Sequence, residues 1–223
     1  MLVLAMLLFF GRLGFWQLER AQSKDQRLAD FSAASQLAYL PDESDSREFT
    51  RLLLKGRFRQ GNDTLADNQV LTGQSGVHVY SAFELVNGQN ILVNRGWLAM
   101  RQDRRNLPAV ETPDEELEIS GRIGPIPVPG RRLGSEGQML SHQWPQLVTY
   151  PELDKIATAL GIELYPWVLF LNENSPGGFA GRQWKPVFMS PERHRAYAFQ
   201  WFALATTALA GWIFLTMRKG VSQ

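Results

Sequence analysis

One histidine near the C-terminal end of the chain stands where it could bind a metal at a membrane surface. Ser190 is a good helix N-cap residue and Pro191 a good first helical residue, so His194 falls in the first turn of a predicted helix. Residues 196–217 then carry no charge. Because a neutral imidazole is a common metal ligand, the sequence predicts a ligand-type side chain at the edge of an apolar helix.

The helical repeat gives this histidine aromatic neighbours. At about 100° per residue, its face is shared by Tyr197, Trp201, Leu204, Ala205, Ala208 and Trp212. Ala203, Thr207 and Gly211 lie roughly opposite, and this spacing of small residues suits close contact between helices. We therefore expect the aromatic face to meet a flat apolar ligand and the small-residue face to pack on another helix.

A hydrophobic staple is the alternative explanation for the same histidine. Met189 precedes the cap and His194 occupies the fourth helical position, which are the two places of that motif. From the residues alone, both a ligand and a staple stay open.

A second candidate group lies in the middle of the chain. Asn94-Arg95-Gly96-Trp97 ends an apolar strand, Ile91-Leu92-Val93. An arginine and a tryptophan beside a glycine can offer a planar donor fork and a stacking face. The alternative is a strand end with a bulge at Gly96 and a solvated arginine.

Catalytic patterns are scarce in this sequence. It has no Gly-x-Ser-x-Gly, phosphate-loop or dinucleotide-binding motif. The other histidines give no ligand pair, since His78 falls in a strand-like stretch and His142 in a loop-like one. The absence of cysteine excludes disulfides, thiolate ligands and covalent c-type haem attachment. We therefore expect no enzyme and no catalytic residues.

Two apolar segments must position these candidates. Residues 196–217 are long enough to cross about 30 Å of hydrocarbon at about 1.5 Å per residue. The N-terminal segment is apolar over residues 1–10, and Arg12 can snorkel towards an interface. It lacks the basic start and cleavage site of a signal peptide. We predict a retained helix there, and its shortness for a span leads us to expect that it begins upstream of Met1.

The stretch between the two segments is predicted to be β-rich. The strand-like stretches are residues 51–59, 77–86, 90–98, 117–123, 146–150 and 167–171. Asn87-Gly88 between two of them indicates a hairpin. Residues 151–160 begin with Pro151 and are followed by Gly161, as a short helix would be. The predicted fold is an α+β membrane protein in which two transmembrane helices flank a mainly antiparallel β domain with one or two short helices.

These patterns also set the expected domain boundaries. We place the N-terminal transmembrane helix at 1–19, the extracytoplasmic domain at 20–193, the C-terminal transmembrane helix at 194–217 and a cytoplasmic tail at 218–223. A net charge of +1 and a pI near 8.0 argue against nucleic acid as a partner. Basic residues flank both ends of the second span, so charge bias does not settle the orientation.

Three motifs in this order resemble the surfeit locus protein 1 family. They are Gly14-Phe15-Trp16-Gln17-Leu18-Glu19-Arg20, Val93-Asn94-Arg95-Gly96-Trp97 and His194-Arg195-Ala196-Tyr197-Ala198-Phe199-Gln200-Trp201-Phe202. The resemblance implies an assembly factor for haem-copper cytochrome c oxidase that helps to form the haem a sites of subunit I. It also implies two membrane helices and an intervening domain in the periplasm or the mitochondrial intermembrane space.

The resemblance further implies a transient haem a site. The histidine proposed as the haem ligand in the family matches His194. Tyr197 and Trp201 would then line the porphyrin, and Arg95, Arg193 or Arg195 would meet the propionates. The implied partners are oxidase subunit I, haem a synthesis enzymes and membrane lipid. No transit peptide is visible, which favours a bacterial inner membrane with the main domain in the periplasm. The alternative is a scaffold that stabilises subunit I without binding haem.

Overall fold

Two long helices stand at the ends of the element order and a β-rich domain lies between them. The computed structural model describes residues 2–33, 36–100, 106–127, 144–182 and 189–221. For residues 219–221 it describes the backbone only. The elements are α1 (Leu2–Ala33), β1 (Gln36–Leu37), a short 3-10 helix (Glu43–Asp45), β2 (Arg51–Phe58), β3 (Thr64–Leu71), β4 (Gln74–Leu85), β5 (Asn90–Ala99), β6 (Leu117–Gly124), β7 (Gln146–Val148), α2 (Leu153–Leu160), β8 (Val168–Leu171) and α3 (Pro191–Val221).

The chain forms two compact units. The first consists of Met1–Ala33 and Pro186–Gln223, and the second of Ala34–Lys185. In the first unit, α1 and α3 are each long and apolar enough to cross a membrane. The predicted fold class is thereby confirmed. Helix α1 continues past residue 19, where we placed the end of the first transmembrane segment, as far as Ala33.

The helices of the first unit meet along a seam with coiled-coil spacing. The residues that are buried or half-buried at alternate steps of three and four are Val3, Leu7, Phe10, Gly14, Gln17 and Ala21 on α1, and Pro191, His194, Ala198, Trp201, Ala205 and Ala208 on α3. A mean step of 3.5 residues keeps one stripe facing the partner helix. The helices are antiparallel, because Phe10 meets Trp201 whereas the later Gln17 meets the earlier His194.

This seam corrects our expectation about which face of α3 packs on a helix. Ala203, Thr207 and Gly211 are exposed, and the space around Gly211 is open. The small residues of α3 that lie in the seam are Ala198, Ala205 and Ala208 instead, and on α1 Gly14 faces the ring of Phe202. The packing face of α3 is therefore the face that carries His194.

The strands of the second unit form one sheet that closes on itself. The strand order is β1-β2-β6-β8-β5-β4-β3-β7, and β4 pairs with β2 as well. Strands β2, β6, β8, β5 and β4 therefore make a barrel-like ring, and β3 and β7 extend the sheet beyond β4. The pairs β1–β2, β3–β7 and β5–β8 are parallel and the other pairs are antiparallel.

Alternating side chains fill both faces of this sheet. Leu169 and Leu171 of β8 join a cluster with Leu54, Phe83 and Ile119, among others. The intervening residues of β8, Val168 and Phe170, pack with Ile156 of α2 on the other face. This burial on both sides explains why the stretch reads as a continuous apolar run.

Two of the eight strands in the described part of the chain, β1 and β3, were not predicted. Strand β1 has only two residues, which is too short to show a period-2 pattern. All six predicted strands and the predicted helix are present, and the hairpin turns at Gly88, which has a positive φ of 84°. Strand β3 was missed because its register shifts between Ala66 and Gln69, and Asn68 has a φ of 60°. A bulge of this kind interrupts the period-2 pattern that identifies a strand.

The close contact between Gly14 and Phe202 can be tested by substituting Gly14 and, as a control, Gly11. A Cβ at Gly14 would lie 2.5 Å from the ring of Phe202, whereas a Cβ at Gly11 meets nothing within 4 Å. Gly14→Leu should destabilise the helix pair by about 1–3 kcal/mol through overpacking, and Gly11→Leu should not. The measurement is thermal unfolding of the whole chain in detergent, followed by circular dichroism. Both variants gain helix propensity equally, so equal melting temperatures would contradict the described seam.

Candidate functional site

His194 lies in the seam between the two long helices. Ser190 caps α3, since its Oγ accepts a hydrogen bond from the amide of Arg193 at 3.4 Å. Its backbone oxygen accepts from the amides of Arg193 at 3.1 Å and His194 at 3.3 Å. This cap directs the first turn so that the imidazole faces α1, and the side chain is only 8% exposed. The histidine therefore belongs to the interface of the helix pair and not to its outer surface.

A glutamine of α1 is the polar partner of this histidine. Nδ1 of His194 lies 2.7 Å from Oε1 of Gln17. Because an amide oxygen only accepts, Nδ1 is the donor in this arrangement. Among the described residues, no hydrogen-bond partner is present for Nε2. The staple partner expected for His194, Met189, is 44% exposed, so the interaction that orients the ring comes from α1.

The two aromatic candidates take different positions beside the histidine. Trp201 is half-buried and stacks on Phe10 of α1, with 5.8 Å between ring centroids and 23° between ring planes. Tyr197 is 43% exposed. Thus the structure brings His194 and Trp201 together in the seam and leaves Tyr197 on the flank of the helix pair.

A pair of opposite charges joins the same helices near this site. Arg195 of α3 binds Asp25 of α1 through its Nη2, and its Nη1 lies 4.0 Å from Glu192. Both side chains of the interhelical pair are about half exposed. Exposed ion pairs contribute little stability. The main consequence of this pair is that the guanidinium of Arg195 is already bound to Asp25. Arg193 is exposed on the neighbouring face.

Within the described part of the chain, no group of three or more histidine or acidic side chains could hold a metal ion. A single imidazole such as that of His194 suits a metal that brings other ligands of its own. A metalloporphyrin does so, because the macrocycle supplies four nitrogen ligands and leaves the axial positions to protein side chains.

Arg95 lies in the second unit, inside the β domain. The register of β4 and β5 shifts so that Val79 pairs with Gly96 and Tyr80 with Asn94, which leaves Arg95 as the extra residue of a bulge. The alternative of a bulge beside Gly96 agrees with this register, and Gly96 has a φ of 108°. The motif lies within β5 and not at its end, because the strand continues to Ala99. The arginine is not solvated as that alternative supposed, because its side chain is 0% exposed.

All three nitrogens of the Arg95 guanidinium are hydrogen-bonded. Nε donates to the backbone oxygen of Gly177 at 2.6 Å and Nη2 to that of Glu111 at 2.6 Å. Nη1 donates to Ser81 at 3.2 Å and to Thr112 at 2.7 Å. The arginine thus ties two chain segments outside the regular strands to the barrel.

Charge and aromatic rings complete this environment. The guanidinium carbon lies 4.6 Å from the ring centroid of Phe58 and 4.7 Å from that of Phe179. Oδ1 of Asp63 lies 3.9 Å from Nη1 of Arg95 and also accepts a hydrogen bond from the hydroxyl of Ser81. Burial lowers the pKa of Arg95 to about 10 despite this carboxylate, so the arginine stays charged at neutral pH. Burial likewise raises the pKa of Asp63, against the opposing effects of Ser81 and Arg95.

The remaining histidines lie apart from His194 in the sequence and do not form a shared site in the described residues. His78 lies on β4, with Nδ1 3.3 Å from Oδ1 of Asn94, and burial lowers its pKa. This position agrees with the strand residue that we expected. His142 lies outside the described residues.

Sequence reasoning missed the α1 half of the site. Gln17 and Phe10 contact His194 and Trp201, but neither carries a signal on its own. The available signal is that apolar or small residues recur at alternate steps of three and four in both α1 and α3. The two helices lie at opposite ends of the sequence. Matching those two stripes would have paired Gln17 with His194.

The candidate residues of both units lie in the part of the chain that is similar to known proteins. The model of the SURF1 family matches residues 4–206 of this chain. A SURF1-like protein of Monosiga brevicollis is 24% identical over 229 residues, which cover 95% of this chain and 84% of that protein. The matched region includes Gln17, Arg95 and His194.

Two bacterial relatives match over a shorter part of the sequence. SURF1-like proteins of Rickettsia felis and Rickettsia conorii are 29% and 28% identical over 113 residues, which cover 49% of this chain. The aligned part spans 49% and 46% of those two proteins.

The environment of Arg95 allows a test of its structural role. Arg95→Met keeps much of the side-chain length but leaves Asp63 buried without its cation, so we expect a loss of about 3–5 kcal/mol of unfolding free energy. Arg57→Met makes the same chemical change at an exposed position of β2 and should have little effect. Denaturant unfolding of the whole chain gives the free energies. Hydrogen exchange at the Phe179 amide, which donates to the backbone oxygen of Arg95 at 2.6 Å, should speed up in the first variant alone. A stable Arg95→Met protein with unchanged exchange would contradict this assignment.

Proposed function

The chain belongs to the SURF1 family, and from this membership we propose that it is a membrane-bound assembly factor for haem-copper cytochrome c oxidase. In this proposal it aids insertion of haem a into subunit I and binds the haem transiently through His194. It works by binding and transfer and not by catalytic turnover. Its partners are subunit I, the haem a synthesis enzymes and membrane lipid.

The observation that carries the haem proposal is the state of His194 in the helix seam. Its ring is held through Nδ1, and Nε2 has no partner in the described part of the chain. A ligating histidine commonly has this pattern, with one nitrogen on the metal and the other donating to an oxygen. The residues present therefore fit an axial ligand, and a bound haem would supply the iron that Nε2 coordinates.

Aromatic and charged neighbours support the same reading. Tyr197 and Trp201 follow His194 at one and two turns of α3, and Tyr197 is exposed enough to meet a porphyrin edge. Of the three arginines considered for the propionates, Arg193 is exposed and next to the ligand. Arg195 is engaged with Asp25, and Arg95 has its nitrogens bound within the β domain. We therefore assign the propionate contact to Arg193.

The low exposure of His194 favours a second candidate function. At 8% exposure, the imidazole leaves a porphyrin little room to approach. A scaffold that binds subunit I through its helices and never contacts haem needs no such access. Under that alternative, the Gln17–His194 bond serves only the helix pair.

The two apolar helices and the family resemblance support a proposal about location. This is a membrane protein of the SURF1 family with two candidate spans. We propose a bacterial inner membrane, with both termini on the cytoplasmic side and the β domain in the periplasm. Two spans with an intervening domain place that domain on one side of the bilayer.

Haem content tests the ligand. The whole chain is purified from cells that make haem a, and its absorption spectrum is recorded. His194→Ala should lower the haem content at least about tenfold, because even the loss of an outer-shell partner commonly costs 10–100-fold in metal affinity. Phe199→Ala is the matched control on α3, since Phe199 is 73% exposed, and it should keep wild-type haem.

The scaffold makes the opposite prediction in the same cells. If His194→Ala and the wild type carry equal haem, or neither carries any, the ligand role is wrong. Co-purification with subunit I from cells that cannot make haem a would then support the scaffold.

A further inference from the structure

We propose that Gln17 is a positioning residue that sets which nitrogen of His194 carries the proton and which nitrogen is offered to a metal. Nδ1 is protonated and bound to Gln17, and Nε2 is the ligand atom. The use of Nε2 by haem rests on the proposed function, but the assignment of the proton does not.

The amide oxygen of Gln17 faces the imidazole of His194, and this placement determines which group donates. Oε1 of Gln17 lies 2.7 Å from Nδ1 of His194 across 177 residues of sequence. An amide oxygen cannot donate, so the bond exists only if Nδ1 carries a hydrogen. A neutral imidazole has a single N–H. The lone pair therefore lies on Nε2.

The position of Gln17 in the seam limits its freedom. Gly14 and Ala21, the seam positions on either side of it, are both buried. Gln17 itself is half-buried, and the imidazole that it meets is nearly enclosed. With little water to compete, the hydrogen bond is stronger than at a surface. Loss of one partner leaves a buried polar group unpaired, which is unfavourable. The seam therefore holds the ring orientation as well as the proton.

Gln17 is an uncharged hydrogen-bond partner, and this affects how strongly His194 would bind a metal. A carboxylate that accepts from a ligating histidine raises the basicity of the other ring nitrogen, and thereby strengthens its bond to a metal. An amide accepts the same hydrogen bond with less charge transfer. Gln17 thus orients the ligand without strengthening it as fully as an acid would, which suits a site that must release its cargo.

The first experiment needs no haem. Nitrogen NMR of the whole chain in detergent, with labelled histidine, reports the tautomer of His194. We expect the Nδ1–H form in the wild type and a mixture of tautomers in Gln17→Leu. Gln22→Leu makes the same change at an exposed position of α1 and should keep the wild-type tautomer. An Nε2–H ring in the wild type, or no change in Gln17→Leu, would overturn the inference.

The second experiment measures the consequence for a metalloporphyrin. In titrations with haemin, Gln17→Leu should bind about tenfold more weakly than the wild type or Gln22→Leu. Gln17→Glu should restore or exceed wild-type affinity, and should lower the reduction potential of the bound haem, since a more basic ligand favours the ferric state. A role in folding alone would not move the potential in this direction.

The two experiments separate this inference from the proposed function. If His194→Ala binds haemin as well as the wild type does, the haem role fails, and the tautomer measurement still decides the role of Gln17. If His194→Ala loses haemin while Gln17→Leu and Gln17→Glu match the wild type in affinity, tautomer and potential, the haem role stands and the role of Gln17 is wrong.

Discussion

A histidine enclosed between two apolar helices needs a hydrogen-bond partner, and the pairing of α1 with α3 depends on that requirement. Gln17 supplies the partner from the other end of the sequence. An unpaired polar group away from water costs about 1–3 kcal/mol in proteins, so a shift of the seam that separates Gln17 from His194 would leave both groups unpaired. The apolar contacts around them are less selective, since many registers bury similar area. A polar layer in an apolar seam is a known way to fix register in coiled coils.

The β domain applies the same constraint to a charge. Arg95 enters the interior because a bulge inserts it into β5, and its guanidinium is then bound by backbone oxygens, hydroxyls and the nearby Asp63. Its two backbone acceptors, at Glu111 and Gly177, lie in chain segments that lack regular secondary structure. Their backbone oxygens cannot be satisfied within a strand ladder, so the arginine and these segments depend on one another. A buried ion of this kind contributes little net stability, but removal of one partner is costly.

The sequence was most informative where one element determines its own pattern. The spans, the hairpin at Gly88, the short helix α2 and the bulge at Gly96 each follow from residues close together in the chain. It was least informative where the partner is distant. The packing face of α3 was misjudged because its small residues, Ala203, Thr207 and Gly211, suggested a contact that α3 makes instead through the face of His194. The surroundings of Arg95 could not be predicted from the residues next to it in the sequence. Asp63, Thr112 and Gly177 are distant in the chain and come close to Arg95 only in the folded domain.

The enclosure of His194 links any ligand at Nε2 to the state of the helix pair. A ligand that needs the seam open binds with an affinity reduced by the free energy of opening, and the same free energy is returned when the ligand leaves. By linkage, a partner that favours the open seam strengthens ligand binding, and one that favours the closed seam promotes release, by the same factor in each direction. The Nδ1 bond to Gln17 and the contact between Phe10 and Trp201 both join α1 to α3. Both therefore favour the closed seam and oppose a ligand that needs the seam open.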